Sequence, residues 1–257
     1  MSTLALAARD SSTMIRRQLK GLIRYPSMTI QLVITPVILL LVFVYVFGGT
    51  LGAGLGGGRD VYVNYVVPGI LLMAVATAAT GTAVMVSTDM NEGIIARFRT
   101  MRIWRPSVLT GHVVGAVIQQ LLGMAVLIGV ALAMGFSPNA TAVEWLAAAG
   151  LLTLFVVAVT WLSVALGLKS PTPEAASNAP MPLILLPFLG SGFVPTDSMP
   201  TVLRWFAEYQ PFTPIMETVR GLLLGNPIGN SGYIALAWCV GLAAVSYLWA
   251  KNIFDKA

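Results

Sequence analysis

Few residues of this chain are capable of acid–base or ligand chemistry, and their spacing rules out several kinds of it. His112 is the sole histidine and Cys239 the sole cysteine among 257 residues. Metal clusters built from His and Cys are therefore excluded. Cys239 cannot form an internal disulfide and reads as a small packing residue in an apolar run. An intramembrane metalloprotease wants HExxH and a second histidine, and a serine enzyme wants a histidine base, so neither fits. No lysine completes GxxxxGK[ST]. Gly167-Leu-Lys-Ser170 comes nearest, but its glycine is not adjacent to the lysine. The expectation is a chain that is no enzyme, binds no metal or cofactor, and has no nucleotide site of its own.

The polar residues that do gather form two groups. One is the stretch Asp89–Pro106, in which Asp89, Glu92 and four arginines interleave with Ile94, Ile95, Phe98, Met101, Ile103 and Trp104. Pro106 ends any helix before it near Trp104 or Arg105. Arginine and aromatic side chains dominate protein interfaces, so a short helix here suits docking on a cytoplasmic partner. The same arginines suit a helix resting on anionic lipid equally well. The second group is two charge pairs at helical spacing, Arg204 with Glu208 and Glu217 with Arg220.

Long apolar elements must position these groups. The chain is 57% hydrophobic and 10% charged, whereas soluble domains carry about 25% charged residues. A spanning helix needs about 20 mainly apolar residues. Six candidates meet or approach that: Met28–Phe47, Tyr62–Thr88, Val108–Met134, Trp145–Leu168, Ala179–Val194 and Tyr233–Ala250. Loops are expected at Gly48–Asp60, Asp89–Ser107, Gly135–Glu144 and Lys169–Asn178. The fifth candidate is short and holds Pro180, Pro182 and Pro187, so a kink or break is expected there. The first continues too long for a signal core and has no A-x-A-like site after it, so it reads as an uncleaved span.

None of the six carries an acidic or basic side chain in its middle. A secondary transporter would need such groups at mid-membrane depth. A membrane scaffold that transports nothing remains compatible with the composition. With the N-terminus inside, twelve of the 15 Lys and Arg residues fall on the cytoplasmic side, leaving Arg59, Arg204 and Arg220 outside. Both termini are then cytoplasmic by the positive-inside pattern.

Before the first span, Ile15, Leu19, Leu22 and Ile23 recur at helical spacing between Asp10 and Tyr25, with Arg16, Arg17, Lys20 and Arg24 largely elsewhere. This predicts an amphipathic helix in the cytoplasmic interface, the alternative being an ordinary basic flank. Before the last span, prolines cut Pro195–Gly232 into pieces. Thr201–Tyr209 is one, and a second is capped by Thr213, with Pro214 at its first position, and closed by Gly225. Two short helices that enter the outer leaflet and return are expected, with each charge pair sharing a helix face. Span two is rich in Ala, Gly and Thr, and Gly111 and Gly115 form a GxxxG that suits internal packing, the alternative being a subunit interface.

Glu92-Gly-Ile-Ile-Ala-Arg-Phe-Arg-Thr-Met101, followed by Pro106-Ser-Val-Leu-Thr-Gly111, resembles the corresponding loop of type-2 ABC exporter permeases, in particular their daunorubicin-resistance branch. Gly192-Phe-Val-Pro-Thr-Asp-Ser-Met-Pro200, Gln210-Pro-Phe-Thr-Pro214 and Arg220-Gly-Leu-Leu-Leu-Gly225 are similar to that family's second signature. The likeness covers essentially the whole chain. It implies one all-α membrane domain over residues 1–257: a cytoplasmic leader (1–27), a six-span core (28–250) and a cytoplasmic tail (251–257). It also implies a coupling helix seated on a separate ATPase, with Glu92, Arg97, Phe98, Arg99 and Met101 as contacts. Spans two and five would flank a route between two permease copies, with Thr77, Thr80, Met85 and Phe188 facing it. The implied activity is export of a hydrophobic or amphipathic compound across the plasma membrane. ATP and Mg would be used by the partner ATPase, and the second permease would be an identical or related chain.

Overall fold

A backbone in apolar surroundings must satisfy its own N–H and C=O groups, and this chain does so with helices. The computed structural model describes Arg16, residues 26–93 and residues 106–256; most of these are helical, with no strand among them. Helix α1 (Pro26–Leu41) runs through a π-helical turn, Val42–Phe47, into α2 (Gly48–Gly54). Then come α3 (Arg59–Asn91), α4 (Pro106–Ala133), α5 (Ala142–Lys169), α6 (Pro173–Asn178) and α7 (Met181–Leu185). A 3₁₀ turn at Thr196–Ser198 precedes α8 (Thr201–Tyr209), α9 (Phe212–Leu224) and α10 (Ser231–Lys256).

Five helical stretches among the described residues are long and apolar enough to cross a membrane: Leu32–Gly54, Arg59–Asn91, Leu109–Ala133, Ala142–Lys169 and Ser231–Lys256. The expected fifth span, Ala179–Val194, is not a single helix. Pro180 and Pro182 bracket the start of α7, which ends at Leu185, and turns carry the chain on past Pro187. A proline ring removes a helical donor and blocks the preceding turn, and three in eight residues leave no uninterrupted ladder. The expected interfacial helix at Asp10–Tyr25 lies outside the described residues, apart from Arg16.

Several boundaries differ from those read in the sequence, each for a local reason. The glycine-rich stretch Gly48–Asp60 is not all loop: the helix persists to Gly54, and the chain reverses only over Leu55–Gly58. Gly52 packs directly on the Gly58 backbone, where a Cβ has no room. Gly56 takes φ 80°, open to glycine at little cost. Helix α5 starts earlier than expected because Thr141 and Glu144 form a capping box. The Thr141 N–H donates to Glu144 Oε2 at 2.7 Å, and the Glu144 N–H donates to Thr141 Oγ1 at 3.4 Å. Thr172 Oγ1 accepts from the Ala175 N–H at 3.2 Å and so starts α6 inside the expected loop Lys169–Asn178.

At α9 the expected cap is corrected. The helix begins at Phe212, behind Pro211, and Thr213 sits inside it with its hydroxyl turned to other partners. Its end is as the glycine implied: Gly225 closes it at φ 74°.

Helices α3 and α5 form the centre. Within their most apolar windows 61% and 67% of residues are buried, against 22%, 28% and 22% for the α1–α2, α4 and α10 spans. Their backbones touch: a Cβ on Gly167 would lie 2.5 Å from the Ala83 carbonyl oxygen. The larger core surrounds Tyr62, Ile70, Leu71, Phe155, Phe212 and Ile215, with Phe155 and Phe212 meeting edge to face at 5.1 Å. A smaller core at the other end joins Val86, Leu109, Val113, Val164, Leu168 and Phe254. The peripheral helices leave aliphatic and aromatic side chains exposed, as on α10 with Tyr233, Val240, Val245 and Leu248.

Candidate functional site

Among the described residues, polar side chains gather chiefly at the two ends of α3, on α8, and at one point midway along α4 and α5. At the Asn91 end, the helix stops where Glu92 caps it and Gly93 turns left-handed at φ 68°. The Glu92 side chain is exposed. Pro106 opens α4 as its first residue, a place where its missing N–H costs no helical bond. Of the expected coupling contacts, Glu92 thus stands at the mouth of the loop. Arg97, Phe98, Arg99 and Met101 lie outside the described residues.

Behind that mouth sits a contact that sequence reading missed. The His112 ring nitrogen Nε2 lies 3.1 Å from Asp89 Oδ2, and both residues are buried. Asp89 is on the last turns of α3 and His112 on the second turn of α4, so the pair ties the two helices at the base of the loop. His112 stood alone in sequence, and Asp89 is 23 residues away. The one sequence signal was that the two residues flank the loop, Asp89 near the end of α3 and His112 near the start of α4.

At the Arg59 end a second polar group is built around Arg220, which is 9% exposed. Its Nη2 donates to the Ser191 carbonyl at 2.8 Å and to the Tyr65 carbonyl at 3.2 Å, and its Nε donates to Tyr65 at 3.3 Å. The guanidinium carbon lies 3.9 Å from the Tyr65 ring centroid, and the Tyr65 hydroxyl donates to the Ser191 carbonyl at 2.9 Å. The expected Glu217–Arg220 ion pair is therefore corrected. Arg220 turns to carbonyls and a ring, while Glu217 accepts from the Ser231 hydroxyl at 2.9 Å. Spacing placed the two on one helix face, but burial selected fixed carbonyl dipoles that Arg220 could reach without leaving the core.

The turn carrying Ser191 is clamped on every side. Thr213 Oγ1 accepts from the Ser191 N–H at 3.2 Å and from Gln210 Nε2 at 3.0 Å. Gln210 Oε1 accepts from the Phe212 N–H at 3.0 Å. Gly192 presses its carbonyl onto Gly69 of α3, where no Cβ would fit. The Tyr62 hydroxyl adds a bond to the Phe193 carbonyl at 3.3 Å. The broken apolar run, α3 and α9 are thus one unit here.

The other expected pair, on α8, is present and exposed. Arg204 Nε donates to Glu208 Oε1 at 2.7 Å, and Nη2 reaches Asp197 Oδ1 at 2.6 Å. The Glu208 hydrogen bond, then the Asp197 and Glu208 charges, hold the guanidinium above the usual arginine range. Trp205 and Tyr209 pack together at 5.5 Å elsewhere on α8 and are largely exposed.

Of the expected route residues, Thr77, Thr80 and Met85 fall on one incompletely buried stripe of α3 with Ala74, Gly81, Val84 and Thr88. Thr77 Oγ1 bonds back to the Met73 carbonyl at 2.9 Å, which leaves the stripe weakly polar. Phe188 is partly exposed on the broken run and stacks on Phe193 at 4.6 Å. Nothing joins Phe188 directly to the three α3 residues. At mid-height, Gln120 of α4 donates to Thr160 of α5 at 3.3 Å.

The family described as ABC-2 type transporter matches residues 10–224. The chain belongs to it. The match takes in the loop after α3, the Asp89–His112 contact and the Arg220 cluster, and it ends at the last residue of α9. A daunorubicin resistance ABC transporter permease protein of Streptomyces coeruleorubidus is 28% identical over 247 residues, covering 94% of this chain and 84% of that protein. A probable doxorubicin resistance ABC transporter permease protein of Mycobacterium tuberculosis is 22% identical over 180 residues, covering 70% and 65%. Nodulation protein J of Rhizobium leguminosarum bv. trifolii is 27% identical over 226 residues, covering 80% and 79%. The chain is a multi-pass membrane permease of the ABC-2 type with drug-resistance relatives, and this family implies an ATPase partner.

Proposed function

We propose that this chain is the permease subunit of an ATP-driven exporter that moves a hydrophobic or amphipathic compound out of the cell. The observation that carries the reading is the ABC-2 match across residues 10–224, with drug-resistance permeases among the relatives. The sequence supports it from another side: no lysine sits in a phosphate-binding loop, and no apolar run has an ionisable group at its middle. Energy then has to enter from a separate ATPase, which would bind and hydrolyse ATP with Mg.

In this reading two permease copies, identical or related, assemble with two ATPases in the plasma membrane. The Asn91 end of α3 and both termini face the cytoplasm. The broken run Ala179–Val194 makes the sixth crossing together with α6, and α8 and α9 form the re-entrant pair on the outer side. Glu92, Arg97, Phe98, Arg99 and Met101 receive the push of the closing ATPases. Asp89 and His112 keep the base of the loop rigid, so the push reaches α3 rather than bending the loop. Thr77, Thr80, Met85 and Phe188 line the path. The Arg220 cluster holds the outer end of α3 against the re-entrant helices.

The test is uptake of a fluorescent anthracycline into inverted vesicles carrying the chain with its co-expressed ATPase. Uptake is expected with ATP and absent when the ATPase has lost its catalytic carboxylate. Full uptake driven by a sodium or proton gradient alone overturns the proposal. So does full uptake without any ATPase.

A further inference from the structure

Gln120 lies midway along α4 and is 5% exposed. One end of its amide is satisfied by Thr160 on α5, but Oε1 has no protein partner. Exchanging the amide's two ends does not remove the problem, because the Thr160 hydroxyl can donate or accept while the other end stays unpaired. Ser191 and Ser246 also keep hydroxyl oxygens without protein partners, but Gln120 fronts a cavity.

That cavity lies between α1, α3 and α4 and is lined by Leu32, Pro36, Ala74, Val75, Gly123 and Met124 besides Gln120. Its volume, measured for the centre of a water-sized sphere, is about 10 Å³. This is the space one water requires, about 10–15 Å³ by the same measure. The lining holds a second unmet need. Pro36 stands inside α1 and has no N–H to give the Leu32 carbonyl one turn earlier. Gly123 contributes no side chain to fill the space.

We propose that this is a binding site for a single water, held between the Gln120 amide and the Leu32 carbonyl that Pro36 leaves without its helical donor. A water there donates to the carbonyl and donates to or accepts from the amide, whichever end faces it. The ligand class follows from size and chemistry: the space admits one water, and the two polar groups are those a water can bridge. The site sits at the middle of the membrane domain and joins the loosely packed α1 to the central helices through a bond that re-forms after small shifts. This inference stands independently of the transport reading.

Microsecond X-ray radiolysis in ¹⁸O-labelled water tests it, with the full chain in detergent or nanodiscs. Hydroxyl radicals made from a bound water oxidise the side chain beside it. Met124 lines the cavity and is 5% exposed, whereas Met73 is 6% exposed and does not line it. Met124 sulfoxide is expected to form several-fold faster than Met73 sulfoxide, with ¹⁸O entering slowly. Gln120→Leu should bring Met124 down to the Met73 rate. Pro36→Ala, which restores the donor, should slow it partway. Equal rates for the two methionines in the wild-type chain overturn the proposal even if both variants fail to fold. An unchanged Met124 rate in a folded Gln120→Leu variant overturns it as well.

Discussion

Arg220 is the residue on which most of the local order depends. A buried cation ordinarily requires a carboxylate nearby, yet this one is held by two carbonyls and a tyrosine face. A fork-shaped guanidinium can meet both carbonyls while lying flat on the ring, and a lysine cannot. Arg220→Lys is therefore expected to destabilise nearly as much as Arg220→Met. The loss should be about 2 kcal/mol, the scale of hydrogen bonds to a charged group. Thermal unfolding in detergent measures both variants, and a lysine variant indistinguishable from wild type removes the geometric argument. The sequence showed Arg220 and its spacing from Glu217, but not its acceptors. Tyr65 lies 155 positions away, and a backbone carbonyl has no sequence signature. The Asp89–His112 contact was hidden for a related reason: only the packing of α3 against α4 makes neighbours of them.

Among the elements, what was legible was whatever composition alone dictates. Long apolar runs with no more than one internal proline became long helices, continuous through Pro36 and Pro68, although the first runs on to Gly54 and the last to Lys256. The mismatches fall where a side chain or a glycine decides. Thr141 and Glu144 extend α5 backwards, and Thr141→Ala is expected to cost about 1 kcal/mol, the usual worth of such a cap. An unfolding midpoint equal to wild type would count against the capping box. The proline-rich run Ala179–Val194 was legible as broken, but not as the turn that clamps onto Gly69. That clamp and the Gly167–Ala83 approach are sites where added atoms meet backbone. Gly167→Val and Gly69→Val are expected to lose about 1–3 kcal/mol each by overpacking. Gly81→Ala, with open space around it, should be near neutral. Yields of folded protein by fluorescence-detected size exclusion separate these outcomes.

For the whole molecule, α3 is the longest continuous element and links its two polar ends. From Asp89 to Tyr65 is about 36 Å at 1.5 Å per residue. Because α3 and α5 meet backbone to backbone at Ala83 and Gly167, a shift of one against the other is sterically opposed, and the less buried helices around them have more room to rearrange. Under the proposed function, Phe98→Ala should weaken ATPase binding about tenfold, the effect of losing one interface hot spot, and lower ATP-driven uptake at limiting ATPase accordingly. Uptake unchanged in a well-expressed Phe98→Ala variant would dismiss that loop as the point of force entry.

The Arg220 arrangement also bears on how the protein is made. Both of its carbonyl acceptors, on Tyr65 and Ser191, precede it in the chain and leave the ribosome first. When the guanidinium arrives during synthesis, its seat has already been translated, so the charge need not wait in lipid for a later segment. A rearranged gene that delivered α9 ahead of α3 would reverse that sequence of events and strand the cation during insertion.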